Sequence, residues 1–352
     1  MTATFPPARV DQFQAAERIT FTPPRPREPL YDTKTIDGFL YLPHTALVVT
    51  PFWRLGGNLG EATWRAFGWS LFAWGTWRLT SNAVFENTGK AFLLVTLLVL
   101  GPSIQSLAIG QANLHMAALM MLTTVELSKE RWWHATGFLM LCLAIKPLII
   151  VSLCLVCVLY RPMWWRTALA TGVLLLLPFV AAPPQYVIAQ YRDCLTKELL
   201  ADRPDRIFEN ISGLLSVLGV AITASAFLVM RIAGAFATLL ACAVAKSRQR
   251  EPFVSFLILA FAGVYLMLFN SRTQPSSYVI VAPVAALWTV VSLREHRRLV
   301  PILMFAILLC WCASNRGPRF AKYWLKPFAC IAFCAVLVRR LGRSAGPNAP
   351  IR

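Results

Sequence analysis

"LCLAIKPLIIV", residues 141 to 151, sets nine apolar residues around Lys146 and Pro147. A lysine at the centre of a membrane helix costs roughly 3 kcal/mol on insertion scales, and such residues usually face a cavity or a partner rather than lipid. Proline breaks the helix and frees backbone carbonyls that only protein or water can satisfy. The pair therefore reads as a functional break in a membrane segment; the bland alternative is a structural ion pair or a snorkelling side chain.

The surrounding chain fits that setting. Of 352 residues, 57% are hydrophobic and only 14% charged, and the mean hydropathy is +0.58, too apolar for a soluble protein of this length. Apolar stretches recur at about 62 to 78, 91 to 107, 111 to 127, 135 to 145, 148 to 160, 164 to 182, 221 to 245, 253 to 269, 278 to 293, 299 to 313 and 324 to 338, with a shorter run at 40 to 54. The expectation is an all-α, polytopic membrane bundle of nine to eleven spans with broken or re-entrant segments. The pieces at 135 to 145 and 148 to 160 are each short for a bilayer core of about 30 Å, so they are compressed helices or one helix broken at Lys146-Pro147.

The formal charge of +18 does not imply nucleic acid, because the basic residues cluster between spans. Lys129 with Arg131, Arg161 with Arg166, "KSRQR" (246 to 250), Arg294 with Arg297 and Arg298, and the tail from Arg339 fall on one side if the spans alternate. The positive-inside rule makes that side cytoplasmic. The external side then receives the polar, Pro-rich residues 1 to 38, "GPSIQSLAIGQAN" (101 to 113), the Lys146 break, the polar loop 183 to 212, "NSRTQPSS" (270 to 277) and "SNRGPRF" (314 to 320). The last of these is itself basic. In domain terms, 1 to 38 is an external segment, 39 to 340 the membrane domain and 341 to 352 a cytoplasmic tail. Segments 1 to 38 and 183 to 212 are expected to form a small cap. Residues 1 to 38 lack the order of a signal peptide, so an N-terminus outside calls for an earlier span that is missing here. The alternative is a cytoplasmic N-terminus with "YLPHTALVVTPFW" as the first span.

Other chemistries find little support. Eight of the nine cysteines lie in or beside apolar spans, which argues against a disulfide framework, and Cys154-x-x-Cys157 has no second pair or histidine to make it a metal or redox site. The four histidines, His44, His115, His134 and His296, have no ligand spacing. No P-loop, G-x-S-x-G or G-x-G-x-x-G occurs. No metal and no cofactor are expected.

Polar residues at the external ends are the candidates for binding. Gln111 and Asn113 in "GQANLHM" suit a hydroxylated ligand or a helix cap. Asn210 or Ser212 in "FENISG" is placed to cap the apolar run that follows, and Asn210 is also a candidate to bind substrate. Arg272, Gln274 and Tyr278 in "NSRTQPSSY" stand at the mouth of two spans, where the planar fork of Arg272 matches a phosphate. Arg231, in "FLVMRIAGAF", is a second intramembrane cation without an adjacent break. On paper the external groups converge on one vestibule.

In order and spacing, "FQAAERI" (13 to 19), "PLYD" (29 to 32), "FLYLPHTALVVTPFWRL" (39 to 55), "GQANLHMAAL" (110 to 119), "CLAIKPLIIV" (142 to 151), "NISG" (210 to 213) and "SRTQPSSYVIVAP" (271 to 283) resemble glycosyltransferase family 87. That is the polyprenol-phosphate-mannose-dependent α-mannosyltransferase-like family of the GT-C superfamily. The resemblance runs from residue 13 to about 340, with the first transmembrane helix missing. It implies a multi-pass enzyme of the cell inner (plasma) membrane that moves a sugar, mannose by resemblance, from a polyprenyl-phosphate donor to a lipid or glycan acceptor. Its partners would be these substrates and membrane lipids. It also implies that Lys146 and Arg272 hold the donor phosphate, and that a carboxylate in the first external loop is the base. Where the family keeps that aspartate, this chain has Ala8; Asp11, about one helical turn away, is the candidate, with Asp32 and Asp37 as alternatives. Two other readings stay open: a secondary transporter, since broken helices with a buried lysine also mark transport sites, though no internal repeat relates the two halves; and a family member that binds the carrier without transfer.

Overall fold

The structure is a computed structural model, and it describes residues 41–83, 85, 87–201, 208–294, 299–312 and 319–342. Among the described residues there are fifteen α-helices, three short 3-10 turns and no strand. In chain order the helices are α1 (Pro43–Arg54), α2 (Gly57–Asn82), α3 (Thr88–Ile109), α4 (Asn113–Ser128), α5 (Trp132–Ile145), α6 (Ile150–Leu159), α7 (Trp164–Leu176), α8 (Pro178–Ala181), α9 (Pro184–Ala201), α10 (Ile211–Val217), α11 (Ala224–Arg248), α12 (Phe253–Phe269), α13 (Ala282–Arg294), α14 (Leu299–Cys312) and α15 (Arg319–Leu341). The all-α bundle expected from the apolar stretches is what forms. Residues 1 to 40, the cap expected from them included, lie outside the described residues, as do residues 343 to 352 of the tail.

Two helices make the centre. In α4 every residue from Asn113 to Leu127 is buried, and in α12 every residue from Val254 to Leu268. A helix buried on all faces belongs in the interior of a large bundle. The outer helices instead turn apolar residues outward: Leu93, Leu97 and Ile104 of α3, Leu228, Ile232, Phe236 and Leu240 of α11, and Ile302, Phe305 and Leu309 of α14 are exposed. So much outward apolar surface suits lipid rather than water.

Several hydroxyl side chains inside the spans are satisfied locally. The hydroxyls of Thr76, Ser103, Thr123, Thr124, Thr136 and Thr289 each donate to the carbonyl four residues earlier. That leaves no hydroxyl of these residues facing hydrocarbon unpaired. Small residues bring the helices close. A Cβ on Gly75 of α2 would lie 3.0 Å from the Ala118 carbonyl oxygen of α4, so this contact needs the glycine.

The loops sort to two ends. At one, Arg78 Nη2 lies 2.5 Å from Glu126 Oε1, with Arg131 at 3.8 Å. There too Tyr160 donates to Glu251 at 2.6 Å, the Lys246 amine donates to the Leu159 carbonyl, and the Arg166 guanidinium stands 5.4 and 4.6 Å from the Trp133 and Trp165 ring centres. These are the basic clusters of the sequence. At the other end meet residues 110 to 113, 146, 208 to 213 and 270 to 278.

Helix lengths differ between the centre and the periphery of the bundle. At 1.5 Å per residue, α5, α4 and α12, with 14, 16 and 17 residues, rise only about 21 to 26 Å, short of a hydrocarbon core of about 30 Å. The 22 residues of α3 and 25 of α11 rise about 33 to 37 Å. Among the described residues three helical stretches, Thr88–Ile109, Arg161–Ala181 and Ala224–Arg248, are long and apolar enough to cross a membrane alone, and five shorter apolar helices accompany them. The sequence expectation of compressed or broken spans thus takes a definite form: breaks at Lys146 and at 270 to 274 shorten the central helices.

Candidate functional site

Lys146 ends α5. Its N–H still bonds to the Cys142 carbonyl at 2.8 Å, but its backbone turns extended at φ −147°, ψ 120°, as a residue before proline prefers. Pro147 then opens a 3-10 turn, Pro147–Ile149, that leads into α6. The break leaves Lys146 half-buried and sends its amine across to α4, where Nζ donates to Asn113 Oδ1 at 2.6 Å.

Asn113 is the first residue of α4 and wholly buried. Its Nδ2 donates to Gln111 Oε1 at 2.8 Å and to Ser277 Oγ at 3.3 Å. Gln111 Oε1 also accepts from the Ser276 hydroxyl, while Gln111 Nε2 donates to Gln274 Oε1 at 2.7 Å. Gln274 and Ser277 form a reciprocal capping box on the 3-10 turn Pro275–Ile280. Gly110 lets the chain enter this network: it closes α3 in the left-handed region at φ +71°, where a residue with a Cβ is strained. Its carbonyl accepts from Trp64 Nε1 at 3.1 Å, and Trp64 stacks on His115 with centroids 3.9 Å apart. The turn is thus clamped from α2 on both sides of Asn113.

A second cluster lies behind the Pro275–Ile280 turn. The wholly buried Tyr278 donates its hydroxyl to the Glu209 carbonyl at 2.9 Å. The Glu209 carboxylate sits 3.7 Å from Lys326 Nζ of α15, and both side chains are buried. Lys326 Nζ stands 5.7 Å from the Tyr278 ring centre. Asn210 caps α10 by accepting from the Gly213 N–H at 3.1 Å, and its Nδ2 donates to the Asn270 carbonyl at 2.8 Å.

The fold therefore brings Lys146, Asn113, Gln111 and Gln274 into one chain of hydrogen bonds. Asn210 and Tyr278 lie in the cluster behind it, with the Tyr278 hydroxyl turned toward Glu209. Arg272 is half-buried on the turn that carries Gln274. Arg231 sits apart in α11, its guanidinium 5.9 Å from the Phe227 ring centre, and its carbonyl accepts from the Tyr265 hydroxyl at 3.2 Å. Asp11, Asp32 and Asp37 lie outside the described residues.

Sequence reasoning passed over Ser276, Ser277, Glu209 and Lys326. For Lys326 a signal was present: Lys326-Pro327 repeats the Lys-Pro pattern of Lys146-Pro147. Among the described residues no group of three or more His, Cys, Asp or Glu could hold a metal ion, and all nine cysteines are thiols. An amine flanked by carboxamides and hydroxyls, set among apolar helices, is suited to an anion and to hydroxylated ligands.

No curated protein and no solved structure matches the chain. The model of glycosyltransferase family 87 matches residues 39–271, a range that holds Gln111, Asn113, Lys146 and Asn210 and stops just before Arg272. With about two thirds of its length matched by that model, this membrane-type helical chain belongs to glycosyltransferase family 87.

Proposed function

We propose that this glycosyltransferase takes its sugar, mannose by family resemblance, from a polyprenyl-phosphate carrier and passes it to a hydroxyl of a lipid or glycan acceptor on the external face of the plasma membrane. One observation carries the reading: the half-buried Lys146 amine, set at a helix break and hydrogen-bonded to Asn113, lies in a polar layer at one end of a bundle whose outer helices carry apolar residues on their outward faces. A polyprenyl phosphate combines an anionic head with a long apolar chain, so it calls for a cation and amide donors at that level. The basic clusters at the opposite end of the bundle support the external placement of the site.

In this reading the acceptor oxygen attacks the anomeric carbon while the bond from that carbon to the phosphate oxygen breaks. The electron pair leaves on the phosphate. Lys146 and Arg272 hold that phosphate as its negative charge grows, and Gln111, Asn113 and Gln274 orient sugar hydroxyls or phosphate oxygens. The acceptor's proton passes to a carboxylate, for which Asp11 is the proposed base.

The test is donor consumption. Purified protein given radiolabelled polyprenyl-phosphate mannose and a membrane lipid or glycan extract should move label into a new product. An intact donor under every acceptor condition would contradict the reading, and net movement of an unaltered solute across vesicles would favour a transporter.

A further inference from the structure

The sequence contains two Lys-Pro dipeptides, Lys146-Pro147 and Lys326-Pro327, and the fold carries both lysines to the polar end. The Pro275–Ile280 turn stands between them. Successive residues of a 3-10 turn point about 120° apart. Ser276 and Ser277 contact Gln111 and Asn113, which in turn hold Lys146. Tyr278, the next residue, faces Glu209 and Lys326.

We propose that the buried Glu209–Lys326 pair is a positioning device for the Lys146 cradle. It rests on the donor-phosphate reading above. Three sets of contacts meet behind the turn. Lys326 Nζ lies 3.7 Å from the Glu209 carboxylate. The Glu209 backbone ties to the turn's flank, its N–H donating to the Thr273 carbonyl at 3.0 Å while its carbonyl takes the Tyr278 hydroxyl. Trp311 fixes α15 against the same place, donating Nε1 to the Lys326 carbonyl at 3.3 Å and packing 5.8 Å from the Tyr278 ring centre. A buried ion pair adds little net stability over apolar side chains of similar size. Its effect here is to fix where Ser276, Ser277 and Gln274 meet Gln111 and Asn113. Glu209 and Lys326 are thus positioning residues, acting on the donor through Asn113 and Lys146.

The experiment has two arms on Glu209→Gln, Lys326→Met and the Glu209→Met/Lys326→Met double variant, the last chosen because it should fold even if the single variants do not. The first arm needs no donor: amide hydrogen exchange over residues 270 to 282, followed by mass spectrometry of the full chain in detergent. Exchange should speed up at least tenfold over this segment in each folded variant, while α4 and α12 stay protected. The second arm measures binding of polyprenyl-phosphate mannose. Glu209→Gln should weaken it at least tenfold in the wild-type background and less than twofold in a Lys146→Met background, since residues acting through one another are not additive. Equal weakening in both backgrounds, or unchanged exchange in every variant, would overturn the proposal. Faster exchange with unchanged donor binding would also overturn it, leaving the pair as a packing feature. If wild-type protein neither binds nor consumes donor, the donor reading fails, and the exchange arm still decides whether the pair holds the turn.

Discussion

Lys146 Nζ and Asn113 Oδ1 lie 2.6 Å apart across two helices, joining a helix break to the first residue of the most buried helix in the bundle. Both ends of the bond are unusual for a membrane interior, an amine and a wholly buried carboxamide. Replacing Asn113 with aspartate changes both sides of the network: the carboxylate would pair with the amine, but it could no longer donate to Gln111 Oε1 and Ser277 Oγ. Asn113→Asp should therefore melt lower than wild type in detergent, and the protein that stays folded should bind donor phosphate at least tenfold more weakly. Unchanged donor binding would show that the Lys146 charge is not what the donor meets.

Gly110 is where backbone conformation and site meet. An alanine there would be strained at φ +71°, and its Cβ would come 3.5 Å from Arg65 Nε. Gly110→Ala should cost about 1 to 2 kcal/mol of stability and lower turnover by displacing Gln111 and Asn113. Thermal melts together with donor kinetics check both effects, and Gly137→Ala serves as a control, because open space surrounds its Cβ position.

The ion pair at the opposite end should behave differently. Glu126 is buried, and Arg78→Ala would remove its partner at 2.5 Å while leaving Arg131 at 3.8 Å. Removing one partner of a buried pair costs about 3 kcal/mol or more. Arg78→Ala should melt clearly lower than wild type, while the protein that stays folded keeps its donor KM.

Sidedness can be read by cysteine labelling at exposed positions. Ser276 and Asn210 are buried, so they are poor probes of the polar end; Ala221, exposed ahead of α11, is a better one, and Ser247 reports the basic end. In a background without other reactive cysteines, Ala221→Cys should react with a membrane-impermeant thiol reagent added to intact cells and Ser247→Cys should not. Labelling at Ser247 alone would place the polar end in the cytoplasm.

Much of the fold was legible because an apolar run has few places to go. The run at 253 to 269 is α12 to the residue, and 299 to 313 is α14 within one residue. Lys146-Pro147 announced a break because its flanks are so apolar. Pairing across the bundle was harder, since nothing local in the sequence says that Ser276 meets Gln111 or that Tyr278 turns to Glu209. Glu209 was hidden in a polar loop, and Lys326 sits at the edge of its apolar run near Arg319 and Lys322, where one more cation looks like a loop residue. The Lys-Pro pattern was the cue that set Lys326 apart.

The most direct measurement is transfer from radiolabelled polyprenyl-phosphate mannose by Lys146 variants that insert and fold normally. If Lys146 holds the carrier phosphate, Lys146→Met should lower turnover by at least a hundredfold, and Lys146→Arg, which keeps a cation in place, should retain part of the activity. Full activity in the Lys146→Met protein would contradict the account.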